Sequence, residues 1–238
     1  IGYMFGQYKR ITSRFEAGVL TGKGLDYGGS LVRTEATGYG VVFFIEEMLK
    51  MRGDGLDGKT CIVSGSGNVA IHAMEKLTSL GGRVVACSDS NGFVHDEAGI
   101  DVGLVKELKV VERRRIREYA KRRRSARYVE GGNIWEVPCD VAVPSATQNE
   151  LDAEDAALLV RNGCIAVGEG ANRPTTPEGV RVFTKAKIAY GPSKAANAGG
   201  VATSALEMQQ NASRDRWTFE HTEQRLADIM RAIHRCCW

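Results

Sequence analysis

The chain has 238 residues, 43% hydrophobic and 26% charged, with a formal net charge of +3. That balance is globular, with enough chain to bury a core as one large or two modest domains. No uncharged apolar run approaches the roughly 18 residues of a spanning helix, so a membrane protein is excluded; the first ten residues, IGYMFGQYKR, also lack the basic, apolar, small-residue order of a secretory signal.

Taken in chain order, Thr34–Met51 reads as a long apolar helix whose start is weakened by Gly38 and Gly40. Lys59–Ser64 reads as a buried strand, Asn68–Leu80 as a helix and Arg83–Ser88 as a second strand. Residues 106–127 hold eleven Lys and Arg against three Glu, +8 in that stretch and therefore −5 in the rest. Leu104, Leu108, Val111, Ile116, Tyr119 and Ala120 give the stretch an apolar stripe, which predicts an amphipathic helix with a solvated basic face rather than a nucleic-acid surface. Cys139–Val143 is a third strand and Asp152–Arg161 a helix stopped near Gly163. Ile165–Gly168 and Ile188–Tyr190 are further strands, with a helix over Pro177–Lys187 between them. Thr218 caps a last helix carrying Leu226, Ile229, Met230 and Ile233 on one face. That pattern is unfinished at Trp238 and no initiator Met is present, which predicts a piece cut from a longer polypeptide. Strands alternating with helices predict an α/β fold, doubly wound, with a mostly parallel sheet and helices on both faces.

The six cysteines form no CxxC and only four histidines are present, so ligand spacing gives no metal site. Cys61, Cys87, Cys139 and Cys164 lie in or beside the apolar runs and read as small buried hydrophobes of a reducing, cytoplasmic setting. Cys236 and Cys237 receive no role.

The strongest local signal is Gly65-Ser66-Gly67-Asn68-Val69-Ala70, directly after a strand and opening a helix. In this GxGxxA pattern the first Gly makes the turn, the second lets the backbone approach a pyrophosphate, and the small third residue packs helix on strand. The helix N-terminus adds unpaired N–H groups and positive potential. Asp89 ends the next strand 24 residues after Gly65, near the spacing of a ribose-binding acid. Together these make the fold Rossmann-like. Asp89 alone favours NAD; Ser90 beside it and the basic stretch that follows offset the repulsion of a 2′-phosphate, so the residues by themselves leave NAD and NADP open.

Six motifs carry a closer resemblance: GKGLDYGGSLVRTEATGYG (22–40), VSGSGNVA (63–70), SDSNG (88–92), PSATQNELD (144–152), EGANRPTTPE (169–178) and PSKAANAGGVATSALEMQQN (192–211). Over nearly its whole length the chain resembles the nucleotide-binding domain of the hexameric glutamate dehydrogenases. The resemblance implies that residues 1–238 are an NAD(P)-binding domain, truncated at both ends, of a protein that also carries an N-terminal substrate domain, absent here. It implies that Thr37 contacts the nicotinamide end, that Asn68 with Gly65, Ser66, Gly67 and Val69 holds the dinucleotide, and that Ala146, Thr147 and Gln148 follow the adenosine ribose. Asn172 and Asn197 lie near nicotinamide and substrate, Ser204 binds the side-chain carboxylate of glutamate, and Val201 shapes that pocket. Arg33 is implied as an orienting residue. The NADP-using members are the nearer match: they share the Asp-Ser of 89–90 and a Lys and an Arg in the next helix, here best matched by Lys109 and Arg115, with Arg113 or Arg114 as alternatives to the latter.

The implied activity is the reversible oxidative deamination of L-glutamate to 2-oxoglutarate and ammonia, with NADP as cofactor and NAD less favoured, in a cytoplasmic homohexamer. The catalytic lysine and aspartate are expected on the absent domain, so no catalytic residue is assigned in this chain. The alternatives are an isolated dinucleotide-binding module without turnover and a dehydrogenase for apolar amino acids, the latter disfavoured by Ser204. Within the chain, Lys194 and Glu169 are the candidate bases on loops near the expected site.

Overall fold

The computed structural model describes residues 1–237. Three short apolar strands, Thr60–Val63 (β1), Val141–Val143 (β5) and Ala166–Gly168 (β6), are buried nearly throughout and pair in parallel at the middle of a seven-stranded sheet. The other strands are Arg83–Asp89 (β2), Gly92–Asp96 (β3), Ala126–Glu130 (β4) and Ala189–Gly191 (β7), and the order is β4-β3-β2-β1-β5-β6-β7. Continuous apolar runs are what a parallel strand covered on both faces requires. Side-chain alternation divides them: Cys61 and Val63 of β1 face one core cluster, while Ile62 faces the other.

The first face is covered by helices Ala36–Lys50 (α2), Asn68–Ser79 (α3) and Phe219–Cys237 (α10). The second is covered by Ala153–Arg161 (α6) and Pro177–Ala186 (α7), whose Leu159 and Phe183 are fully buried. Both of these helices are locally well specified. Asp152 caps α6 in a reciprocal capping box with Asp155, and Thr176 caps α7 with Pro177 at its first position. Around them lie Gly2–Thr12 (α1), Val102–Lys106 (α4), Arg117–Arg122 (α5), Ser193–Ala196 (α8) and Gly199–Ser213 (α9). Thr218 Oγ1 accepts the His221 amide at 3.2 Å, so it caps α10 as its sequence suggests. Among the described residues no helix is long and apolar enough to cross a membrane.

The two glycines that weaken α2 in sequence are there for packing. A β-carbon at Gly38 would stand 2.6 Å from the Ala73 nitrogen of α3, and one at Gly40 would stand 2.8 Å from Gly199 Cα of α9. The helix gives up roughly 1 kcal/mol of intrinsic propensity at each position so that two neighbouring helices can approach its backbone.

The sheet is mostly parallel, as expected, with an antiparallel edge: β2 turns through Ser90 and Asn91 into β3, and β3 pairs antiparallel with β4. One expectation is corrected: the basic stretch is not one amphipathic helix. It breaks into α4, a π-helical turn over Glu107–Val111, the short α5 and the edge strand β4. Arg113 takes a left-handed conformation at φ 56°, and the Arg114 amide donates to the Leu108 carbonyl at 2.7 Å, which closes the first piece. The apolar stripe divides accordingly: Leu108, Ile116 and Tyr119 are buried, while Val111 is 75% exposed. Burial of Asp96 against the Arg123 guanidinium and the Ser125 hydroxyl, both at 3.1 Å, pins the second piece to β3.

Candidate functional site

The sheet order reverses between β1 and β5. The chain runs outward from β1 to β2 on one side and returns to β5 on the other, and open α/β sheets bind ligands at such a switch point, beyond the carboxyl ends of the strands. The glycine loop leaves β1 at this place. Gly65 has φ 85°, and a β-carbon there would meet Ala146 Cα at 3.1 Å, so the loop lies against the loop that follows β5. Serines at three strand ends fasten the two loops. Ser145 N–H donates to Ser64 Oγ at 2.7 Å, and Gly65 N–H donates to Ser88 Oγ at 2.8 Å.

Gly67 is the N-cap of α3, without a side-chain cap, and a β-carbon there would have no heavy atom within 4 Å. The first N–H groups of a 12-residue helix thus face open space. Those are the features a pyrophosphate needs: an approachable backbone, unpaired donors and the positive end of a helix. Ser66 is buried beside them. Asn68 donates its side-chain amide to the Thr34 carbonyl at 2.6 Å, which joins the start of α3 to the entry of α2; it does not line the cleft described next.

That cleft has a volume of about 550 Å³ and is built from five separated segments. Thr37 and Arg33 come from the α2 entry, and Val69 from the glycine loop. Ala146, Thr147 and Gln148 follow β5, and Asn172 follows β6. Asn197 precedes α9, which contributes Val201 and Ser204. Nine of the residues singled out in the sequence for ligand contact therefore share one cavity wall, with Arg33 as a tenth. Thr37 is the second residue of α2 rather than its N-cap, which is Glu35, and it lines the cleft. The Ser204 hydroxyl donates to the Gly200 carbonyl one turn back at 3.0 Å, and its rotatable proton can turn toward an acceptor in the cleft. Asn197 donates to Asn172 Oδ1 at 2.8 Å and to the Ala171 carbonyl at 3.2 Å, which couples the two asparagines. Arg33 lines the same wall, and among the described residues its Nε is buried without a hydrogen-bond partner, which costs free energy.

The second subsite lies beyond β2. Asp89 accepts the Asn91 amide at 2.9 Å and the Ile116 amide at 3.2 Å, so the turn and the basic segment are held together. Arg115 Nη1 donates to Ser90 Oγ at 2.7 Å. Of its alternatives, Arg114 is engaged with Glu112 at 3.1 Å, and Arg113 sits at the left-handed turn. Lys109 stands on the π-helical turn with no ion pair among the described residues, and its charge opposes the burial and the nearby Asp89 that push the Cys87 thiol up to about 12. Cys61 is likewise raised to about 12 by burial, and Cys139 and Cys164 are also buried; none is positioned as a reactive thiolate.

Neither candidate base reaches the cleft. Lys194 is exposed on α8 and does not line it, and Glu169 is buried facing away. Sequence reasoning did not single out Ser64, Ser88 and Ser145, nor Glu150, whose carboxyl accepts the Ala146 and Thr147 amides at 2.9 and 3.2 Å. Burial raises that carboxyl above the ordinary glutamate range. The signal for the serines was their position at strand ends beside the switch point.

Fold and topology define a Rossmann-like α/β domain. The sequence matches the Glutamate/Leucine/Phenylalanine/Valine dehydrogenase family over residues 28–238, and the chain belongs to that family. It is 56% identical over 242 residues to an NADP-specific glutamate dehydrogenase of Helicobacter pylori, covering 99% of this chain and 54% of the relative. Among solved structures, glutamate dehydrogenase 2 of Plasmodium falciparum superposes with a TM-score of 0.96 at 47% identity, covering 99% of this chain and 52% of that one. A hetero-hexameric glutamate dehydrogenase from Thermus thermophilus superposes with a TM-score of 0.81 at 25% identity, covering 98% and 53%. The chain spans about half the length of the relatives it matches.

Proposed function

We propose that this chain is the dinucleotide-binding domain of an NADP-dependent glutamate dehydrogenase, acting in a cytoplasmic homohexamer together with a substrate domain. The observation that carries the reading is the convergence of Thr37, Asn172, Asn197 and Ser204 on one cleft beside the glycine loop, at the point where the sheet reverses. When bound, NADP supplies the hydride acceptor for oxidation of L-glutamate to 2-oxoglutarate and ammonia.

The work of this chain is to bind and orient. The α3 N-terminus and the open Gly67 backbone hold the pyrophosphate, and Ala146, Thr147 and Gln148 border the ribose path. Thr37 and the coupled asparagines set the nicotinamide end. Ser204, with Val201 at the rim, donates to the substrate side-chain carboxylate, and Arg33 places a cation on the same wall. A cleft for an apolar amino acid needs neither a hydroxyl nor a cation there, which disfavours that alternative.

The Ser90–Arg115 pair with Lys109 supports NADP over NAD. A hydrogen bond to a charged group is worth about 1.5–3 kcal/mol, so each such contact to a 2′-phosphate contributes roughly tenfold or more in affinity. Fluorescence titration tests this. NADPH should bind more tightly than NADH, and Lys109→Ala with Arg115→Ala should weaken NADPH while leaving NADH unchanged. Equal affinities for the two cofactors, or no loss in the double variant, refute the assignment of NADP.

A further inference from the structure

We propose that Glu169 is a positioning residue that fixes Asn172 and Asn197 at the nicotinamide end of the cleft; the proposal deepens the dinucleotide reading above and rests on it. Glu169 directly follows β6 and is 2% exposed. It makes no ion pair among the described residues, and three donors converge on its carboxyl group. Thr175 N–H and the Tyr190 hydroxyl donate to Oε1 at 3.2 and 2.7 Å, and Ser193 N–H donates to Oε2 at 2.7 Å. Burial and the adjacent carboxyl hold the Tyr190 phenol well above its ordinary range, so it stays a donor.

The donors belong to different parts of the chain. Thr175 ends the loop that follows β6, Tyr190 lies within β7, and Ser193 opens α8 after β7. Asn172 lies on the same loop as Thr175, and Asn197 directly follows the α8 turn that Ser193 opens. The two segments are stitched again above the carboxyl group, where Arg173 N–H donates to Ser193 Oγ at 3.2 Å and Asn197 reaches both Ala171 and Asn172. Glu169 is thus the buried point on which both asparagine-bearing segments close, without itself touching the cleft. A buried carboxyl group satisfied by neutral donors is tolerated only while each of its bonds is made.

The chemistry makes an isosteric change informative. Glutamine keeps the shape but has one acceptor oxygen, whereas Thr175 N–H and Ser193 N–H address different oxygens of Glu169. In either amide orientation one backbone N–H faces an NH₂ group and its loop must move.

The experiment compares Glu169→Gln with the parent chain, using NADPH and adenosine 2′,5′-bisphosphate, which lacks the nicotinamide half. The expected result is a loss of about tenfold for NADPH, the size expected for one buried donor left unpaired, with the bisphosphate unchanged. Tyr190→Phe, which removes one donor and keeps both backbone bonds, should give a smaller loss for NADPH only. A parallel loss for both probes means general loosening and overturns the positioning role, as does no loss for either. If the parent chain binds neither probe, the dinucleotide reading fails by itself. The positioning role is then decided by NMR: the side-chain amide signals of Asn172 and Asn197 should shift in Glu169→Gln while the Gly65 and Gly67 amides hold, and unshifted asparagine signals overturn it.

Discussion

Replacing Gly67 by valine separates ligand binding from folding. The backbone at this position has φ −86° and ψ −171°, an extended conformation open to any residue, and no heavy atom lies within 4 Å of a β-carbon built there. Two small effects on stability oppose each other. Removing a glycine stiffens the unfolded chain by about 0.4–1 kcal/mol in favour of folding. Valine is a poorer N-cap than glycine, by about 1 kcal/mol. The net change is within about 1 kcal/mol, or a Tm shift of roughly 2–4 °C for a chain of this length. Binding responds differently. The isopropyl group fills the space through which a pyrophosphate reaches the first N–H groups of α3. Losing two charge-assisted bonds at about 1.5–3 kcal/mol each lowers affinity by two orders of magnitude or more. Gly65→Val is the contrasting variant. Gly65 has φ 85°, and a β-carbon would stand 3.1 Å from Ala146 Cα, so this change should lower the Tm itself. Thermal melts and NADPH titration on the two variants suffice. Retained binding in Gly67→Val would show that the loop is not the phosphate cradle, and equal melting losses in both variants would refute the difference in local geometry.

Two further outcomes follow from the cleft and the basic segment. Residues 1–238 alone should bind NADP(H) without oxidising glutamate at high concentration, because among the described residues no Asp, Glu, Lys or His lines the cleft to act as a base; NADPH formation at roughly 1–10³ s⁻¹ would refute this and make Lys194 the first residue to replace. In the basic segment, the Arg122 guanidinium holds Glu112, and Lys121 holds Glu118, below the ordinary carboxylate range. A carboxylate depressed in the folded state stabilises above its unfolded value of about 4.5 and loses that contribution as pH falls through the lower folded value. Amide protection across residues 107–122 should therefore fall in acid, and Glu112→Gln should flatten that dependence; protection independent of pH in the parent would refute the role of these pairs.

What could be read from the sequence was whatever depends on short-range pattern. The central strands are apolar runs because both of their faces are covered, and α6, α7 and α10 announce themselves through Asp152, Thr176 and Thr218. The failures come from residues whose partners are distant in sequence. Nothing local in Ala126–Glu130, which bears an Arg and a Glu, marks it as the edge strand that β3 selects by pairing. The spacing of Leu108, Ile116 and Tyr119 suits a continuous helix, but the stretch is divided by the left-handed turn at Arg113 and by the pull of buried Asp96 on Arg123.

The site divides along the same line. Its motifs identify which residues meet, yet they carry no information about which way a side chain faces. Glu169 and Asn172 stand three residues apart in one motif, and by sequence either could face a ligand. The structure turns Glu169 inward onto Thr175, Tyr190 and Ser193 and leaves Asn172 on the cleft wall. The reason is the donors available on each side. Two backbone N–H groups and a phenol wait beneath the sheet end for an acceptor, whereas the Asn197 amide, which donates to Asn172, lies at the cleft. A carboxyl group and a carboxamide are sorted by that difference, which only the tertiary arrangement of β6, β7 and α8 creates.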